Sequence, residues 1–358
     1  MENNNNEIKE KQIFKFKEIN LIIDYYKNDN SKISSLITNS YENLEEKKSN
    51  FWKILLGIII GQLLSILSVL NGFFSERTEK KKEIIIPFLL TSGYYILLFL
   101  CFLTYNKFTF KKPKLCYIII ILIDSITNAI NTYVFSISKF EYPYIINLNS
   151  SIWSVIFTII IIKIYKYYQN HIFGLIIAFI GNVLSFIGTF NSFQDILKLF
   201  KEKNYCSIIY CFIISILYSL DQVLQEKYLS EYNEIFDYFV WCGILGFFIS
   251  VLFSFLFGEV NYIYNCNFDC EFFIYFCCFS LTLTIFTSIS LFYINKFSAN
   301  MFSLNLVSTV FWSFIINGIF ITGNVHYNFM IIFFIVGLIF IIIGTSIFNY
   351  QDRKCIIE

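Results

Sequence analysis

Hydrophobic positions fall into ten long runs rather than alternating or amphipathic stripes. They span Trp52–Phe73, Ile84–Tyr105, Leu115–Ser138, Pro143–Ile162, Ile172–Phe190, Tyr205–Leu224, Phe236–Phe257, Glu271–Asn295, Ser298–Thr322 and Phe329–Phe348. About 20 apolar residues suffice to carry a helix across a bilayer. The pattern therefore predicts an all-α membrane protein with ten transmembrane helices. A polar tail, residues 1–50, precedes the first run, and a polar linker, residues 194–204, divides the rest into residues 51–193 and 205–350 ahead of a short tail, residues 351–358. The tail has no apolar run of signal-peptide type and reads as a cytosolic, disordered segment.

One run is marked by polar interruptions. Within Tyr117–Phe140, Asp124, Asn128 and Asn131 recur at i, i+4 and i+7, which places them on one helical face. This is the only run with an acid near its middle. An ionisable group at bilayer depth is costly and normally faces protein or a water-filled cavity. Three readings of Asp124 stand open: it titrates and couples proton or cation movement, it binds a cationic solute, or it is a structural acid satisfied by Asn and Ser nearby. At the end of the sixth run Tyr218, Asp221 and Gln225 share another face; Asp221 and Glu226 either enter the same pathway or cap the helix. Gln62, Asn71, Asn147 and Asn305 are further groups able to bond a polar solute, or one another across helices.

The third to fifth runs and the eighth to tenth share a rhythm. Lys139-Phe140 corresponds to Lys296-Phe297, Asn147-Leu148 to Asn305-Leu306, and Ser150-Ser151 to Ser308-Thr309; Trp153 matches the Phe311-Trp312 pair. Gly181 and Gly188 have the same spacing as Gly337 and Gly344. Two five-helix copies must enter the membrane in opposite orientations, because five is odd. Such inverted repeats characterise many secondary transporters, whose solute site lies where the halves meet.

Composition narrows the reading. The chain of 358 residues is 56% hydrophobic, with 44 Phe and only 15% charged residues, far too apolar for one soluble core. Basic residues, 27 in all, concentrate on the N-terminal side of the membrane, which predicts that both termini are cytosolic. Both arginines, Arg77 and Arg353, lie in loops, and no lysine sits in the middle of a run. Polyanionic solutes such as nucleotide sugars, which need cations to replace their hydration, are disfavoured. A net charge of +1 gives no footprint for nucleic acid. Cys266 and Cys270 are spaced for a short disulfide if their loop faces an oxidising compartment, and otherwise are two thiols. His171 and His326 read as polar anchors in loops. No nucleophile elbow, phosphate loop or metal cluster is present, so nothing supports an enzyme or a cofactor.

Gly61-Gln62-Leu63-Leu64-Ser65, Asp124 with Asn128, and Ser298-Ala-Asn-Met-Phe-Ser-Leu-Asn305-Leu306 resemble the drug/metabolite transporter superfamily, and within it the F subgroup of solute carrier family 35. Leu217-Tyr218, Gln225-Glu226 and Gly243-Ile-Leu-Gly246 extend the likeness over Ile54–Tyr350, while Asp221 stands where the pattern has Asn. The resemblance implies a ten-helix, alternating-access carrier in a eukaryotic membrane, with no assigned residue roles. The expected partners are a small-molecule solute, the lipid bilayer and either protons or another cation; a homodimer is left open. Candidate site residues are Asp124, Asn128, Asn131, Asn147, Tyr218, Asp221, Gln225, Asn305 and Gln62.

Overall fold

The computed structural model describes residues 30–80, 85–105, 112–137, 142–163, 169–188, 205–229, 232–265, 269–317 and 331–349. The chain divides into two units, Met1–Leu56 and Gly57–Glu358. Its elements are α1 (Asn30–Lys80, shared by the two units), α2 (Pro87–Tyr105), α3 (Leu115–Ile137), α4 (Tyr142–Phe157), α5 (Gln169–Gly188), α6 (Tyr205–Tyr228), α7 (Tyr232–Leu256), α8 (Glu259–Asn265), α9 (Cys270–Lys296), α10 (Ala299–Leu306), α11 (Thr309–Asn317) and α12 (Ile331–Asn349). All regular structure among the described residues is helical. Five of these helices are long and apolar enough to cross a membrane, within Leu55–Glu79, Pro87–Thr104, Leu115–Ile137, Ile235–Leu256 and Cys270–Lys296.

Large apolar side chains cover the outside. Along α12, Ile332, Ile335, Ile339 and Ile343 are exposed, and along α5 Ile172, Phe173, Ile176 and Ile180. Such a surface in water would be an aggregation liability; against lipid it costs nothing.

The most extensive helix pairing joins α5 to α12, and glycine makes it possible. A Cβ on Gly181 would lie 2.6 Å from the Gly337 carbonyl oxygen, and one on Gly344 2.6 Å from that of Gly174. Rising numbers on one helix meet falling numbers on the other, so the two run antiparallel with backbone against backbone. Glycines of the fifth and tenth hydrophobic runs thus form one seam. A second close approach joins α2 and α7, where Gly243 lies against the Phe99 backbone and Gly246 against the Tyr95 ring. Around it Tyr94, Tyr95, Tyr238, Phe239 and Phe279 build the largest buried cluster.

Several sequence expectations are corrected. The ninth run, Ser298–Thr322, is not one helix over its described part: it breaks at Val307-Ser308 between α10 and α11. Neither Gly nor Pro marks the break. The Asn305 carbonyl accepts from the Ser308 N–H at 3.1 Å, the Ser308 hydroxyl at 2.9 Å and the Ser65 hydroxyl at 3.0 Å. These bonds divert it from the i+4 partner that would continue an α-helix. The fourth run departs from an α-helix as well: α4 gives way at Thr158–Ile162 to a π turn that ends on Lys163 at φ 60°. The polar tail is helical from Asn30, well before the expected start at Trp52, and α8 is a short helix in a stretch read as loop. His171 is not a loop anchor: it lies within α5, buried and edge-on to the Phe348 ring at 5.2 Å. His326, Cys266 and the linker 194–204 lie outside the described residues.

α8 also has a structural task. Glu259, its first residue, accepts from the N–H groups of Phe88 and Leu89 at 3.1 and 2.9 Å, filling orphan donors at the start of α2. Burial raises its carboxyl above the ordinary carboxylate range, and those two donors partly offset the rise.

Candidate polar cavity

A cavity lies between the two sequence halves, with an empty volume of about 820 Å³ that includes open solvent at its mouth. Each half supplies polar groups. Asn71 comes from α1, Asp124, Asn128 and Asn131 from α3, and Ser150 from α4. Opposite them stand Tyr218, Asp221, Gln222 and Gln225 of α6 with Thr287 and Ser290 of α9. Phe135, Phe286 and Phe302 give the cavity an apolar side. Among the described residues, no Lys or Arg lines the cavity.

Helical spacing explains the polar faces. Asp124, Asn128 and Asn131 stack on α3, and Tyr218, Asp221 and Gln225 on α6, so both triads turn towards one space. A hydrogen-bonded chain joins them. Tyr218 donates to Asn128 Oδ1 at 3.0 Å, and Asn128 Nδ2 donates to Asp124 Oδ1 at 2.8 Å. On the far side Tyr95 donates to Asp124 Oδ2 at 2.9 Å and Tyr94 to the same oxygen at 3.4 Å. Asp124 is therefore a carboxylate with both oxygens engaged, held by tyrosines of α2 and by its own helix rather than by Asn and Ser of neighbours. Gly246 of α7 leaves room for the Tyr95 ring that makes the shortest tyrosine bond.

Asp221 differs. Gln225 donates to its Oδ2 at 2.8 Å, while Oδ1 is buried with no hydrogen-bond partner. Asn71 Oδ1 is likewise buried without a partner. Asp221 is thus no helix cap at the interface; that task falls to Glu226, whose Oε2 accepts from the Ala299 N–H at 2.7 Å at the start of α10. The next residue, Lys227, donates to the Ile161 carbonyl at 3.1 Å, in the π turn that ends α4. Glu226 and Lys227, the two residues after Gln225, thus tie α6 to the start of α10 and to the end of α4. Between α9 and α10, Ser298 holds φ 152°, a conformation that glycine adopts far more readily, and its side chain accepts from the Met301 N–H.

Two expected site residues stand elsewhere. Asn305 is buried in α10 against Gly61 and donates to the Tyr293 hydroxyl at 2.6 Å and the Met301 carbonyl at 3.0 Å. Gln62 accepts from Trp312 Nε1 at 3.0 Å. Both bond helices to one another and neither lines the cavity. The side chain of Asn147 lies outside the described residues. Sequence reasoning missed Tyr94 and Tyr95: an aromatic pair in an apolar run reads as packing, and only the fold shows its hydroxyls meeting Asp124. Gln222 was also missed; beyond lying three residues before Gln225 it carries no signal, and its Oε1 accepts from Ser303 at 2.6 Å.

Among described residues no group of three or more His, Cys, Asp or Glu is placed to hold a metal ion. Comparison with known proteins adds a family and a fold. The family model described as SLC35F, solute carrier family 35, matches residues 50–350. No curated protein matches at a significant level. Twenty-five solved chains do match. One, titled only as a crystal structure of a protein, aligns with 86% of this chain and 100% of its own at a TM-score of 0.60 and 10% identity, which makes the fold common to both.

Proposed function

The chain belongs to solute carrier family 35, an integral, multi-pass membrane protein of a transporter family, and on that premise we propose that it moves a small polar solute, neutral or cationic, by alternating access. A nucleobase, nucleoside, vitamin or amine has the right chemistry. The observation that carries the reading is the cavity, walled on one side by α3 and on the other by α6 and α9, polar at its acids and apolar at its three phenylalanines. A concave site with an apolar side and a few convergent polar groups is the usual form of a small-molecule site. The architecture we infer is ten spans in two inverted five-helix repeats, with both termini cytosolic. The antiparallel seam between equivalent glycines of α5 and α12 supports it, since copies inserted with opposite orientation bring equivalent helices together in that sense.

The described lining holds two carboxylates and no Lys or Arg, which weighs against a nucleotide-sugar carrier with its diphosphate. Asp124 is the coupling or positioning acid in this reading, and Asn128, Asn131, Tyr218 and Gln225 complete the polar lining. Uptake by the purified chain in proteoliposomes, over a solute panel with and without a pH gradient, tests it. Saturable accumulation of a neutral or cationic solute is expected. Accumulation of nucleotide sugars alone would overturn the solute class, and no movement of any solute would leave a scaffold that keeps the fold without the activity.

A further inference from the structure

We propose that Asp221 and Asn71 form the recognition point for a protonated amine, whose ammonium donates to Asp221 Oδ1 and Asn71 Oδ1 while its hydrocarbon or aromatic body lies against Phe135, Phe286 and Phe302. This deepens the carrier reading and rests on it. Both oxygens are buried acceptors without a hydrogen-bond partner: Asp221 is 4% exposed and Asn71 8%. A buried polar atom left without a partner is unfavourable, and for a carboxylate oxygen more so, so the arrangement favours a ligand that brings donors. An ammonium brings three N–H donors and no acceptor, which suits two oxygens of which one is on an acid. A neutral hydroxyl or amide would satisfy the hydrogen bonds and leave the charge uncompensated.

Several neighbouring oxygens are already committed. Both oxygens of Asp124 already accept hydrogen bonds, and the Asp221 Oδ2 is taken by Gln225. Gln222 Oε1 is taken by Ser303. Among the described lining residues no Lys or Arg competes for Asp221.

Thermal unfolding of the purified full-length chain in detergent tests the inference with 2-phenylethylamine and its neutral isostere 2-phenylethanol, because a ligand that binds only the folded state raises the midpoint. The amine is expected to raise the midpoint with concentration and the alcohol to leave it in place. Asp221→Asn, which keeps the Gln225 bond, should weaken the amine's effect at least tenfold. Asn71→Asp, which adds a second carboxylate without touching Asp221, should strengthen it several-fold. An equal response to amine and alcohol, an amine response unchanged in Asp221→Asn, or stabilisation by sodium or potassium ions with none by amine would each overturn the assignment. Uptake separates the two levels. Transport of neutral solutes only would sink this inference and leave the carrier standing, whereas amine binding without transport of any solute would sink the carrier.

Discussion

Asp124 and Asp221 are the same residue type, buried to a similar degree in the wall of one cavity, yet their surroundings are opposite. Asp124 receives hydrogen bonds on both oxygens from Tyr94, Tyr95 and Asn128, and Asn128 is itself fixed by Tyr218. Asp221 receives one, on one oxygen, from Gln225 one turn along its own helix. A fully partnered acid contributes rigidity, whereas a half-partnered one keeps binding capacity in reserve. The difference teaches that depth in the membrane alone does not identify a ligand group. What distinguishes it is the number of acceptor positions that the protein itself leaves open.

The sharpest way to break the contrast is to make the same substitution at both acids. Asp124→Asn sets an amide N–H against a tyrosine or Asn128 donor whichever way it is turned, and should cost about 2–3 kcal/mol, seen as a lower unfolding midpoint in detergent. Asp221→Asn keeps the acceptor that Gln225 uses and removes a buried charge, so its midpoint should be unchanged or higher. Equal losses at the two positions would erase the distinction. Next in size, Gly246→Ala places a methyl group against the Tyr95 ring and should destabilise by about 1–3 kcal/mol through overpacking. Its loss should shrink in a Tyr95→Phe background if the displaced hydroxyl is the cause, which a double-mutant cycle reads directly. The smallest pair is Tyr95→Phe, at about 1.5 kcal/mol for a 2.9 Å bond to a carboxylate, against Tyr94→Phe, at about 0.5 kcal/mol for one stretched to 3.4 Å. A reversed order would mean that Tyr94 is the principal clamp.

Much of this was legible in the sequence because helical periodicity is local. Asp124, Asn128 and Asn131 had to share a face once α3 was a helix, as did Tyr218, Asp221 and Gln225 on α6, and both faces open on the cavity. The glycines of the fifth and tenth runs were legible as a shared spacing, although only the fold shows that they touch each other. What escaped was decided between helices. The Val307-Ser308 break follows from Ser65, some 240 positions away in the chain, bonding the Asn305 carbonyl. Asn305 and Gln62 looked like solute contacts and are instead partnered by Tyr293 and Trp312. Hydropathy treats a buried Asn that binds its neighbour and one whose carbonyl oxygen has no partner alike, so Asn71 and Asn305 could not be told apart before their surroundings were known.

The α5–α12 seam carries a mechanical corollary. A helix contact made by side chains can slip by exchanging rotamers, like gear teeth finding new gaps. Where carbonyl oxygens of Gly174 and Gly181 sit against the backbone of Gly344 and Gly337, there are no teeth to exchange. Such a pair turns as one body or comes apart, so it serves as an axle. Any rocking that opens the cavity to one side and then the other is thereby left to its walls, where α4 softens into a π turn and α10 and α11 are already parted.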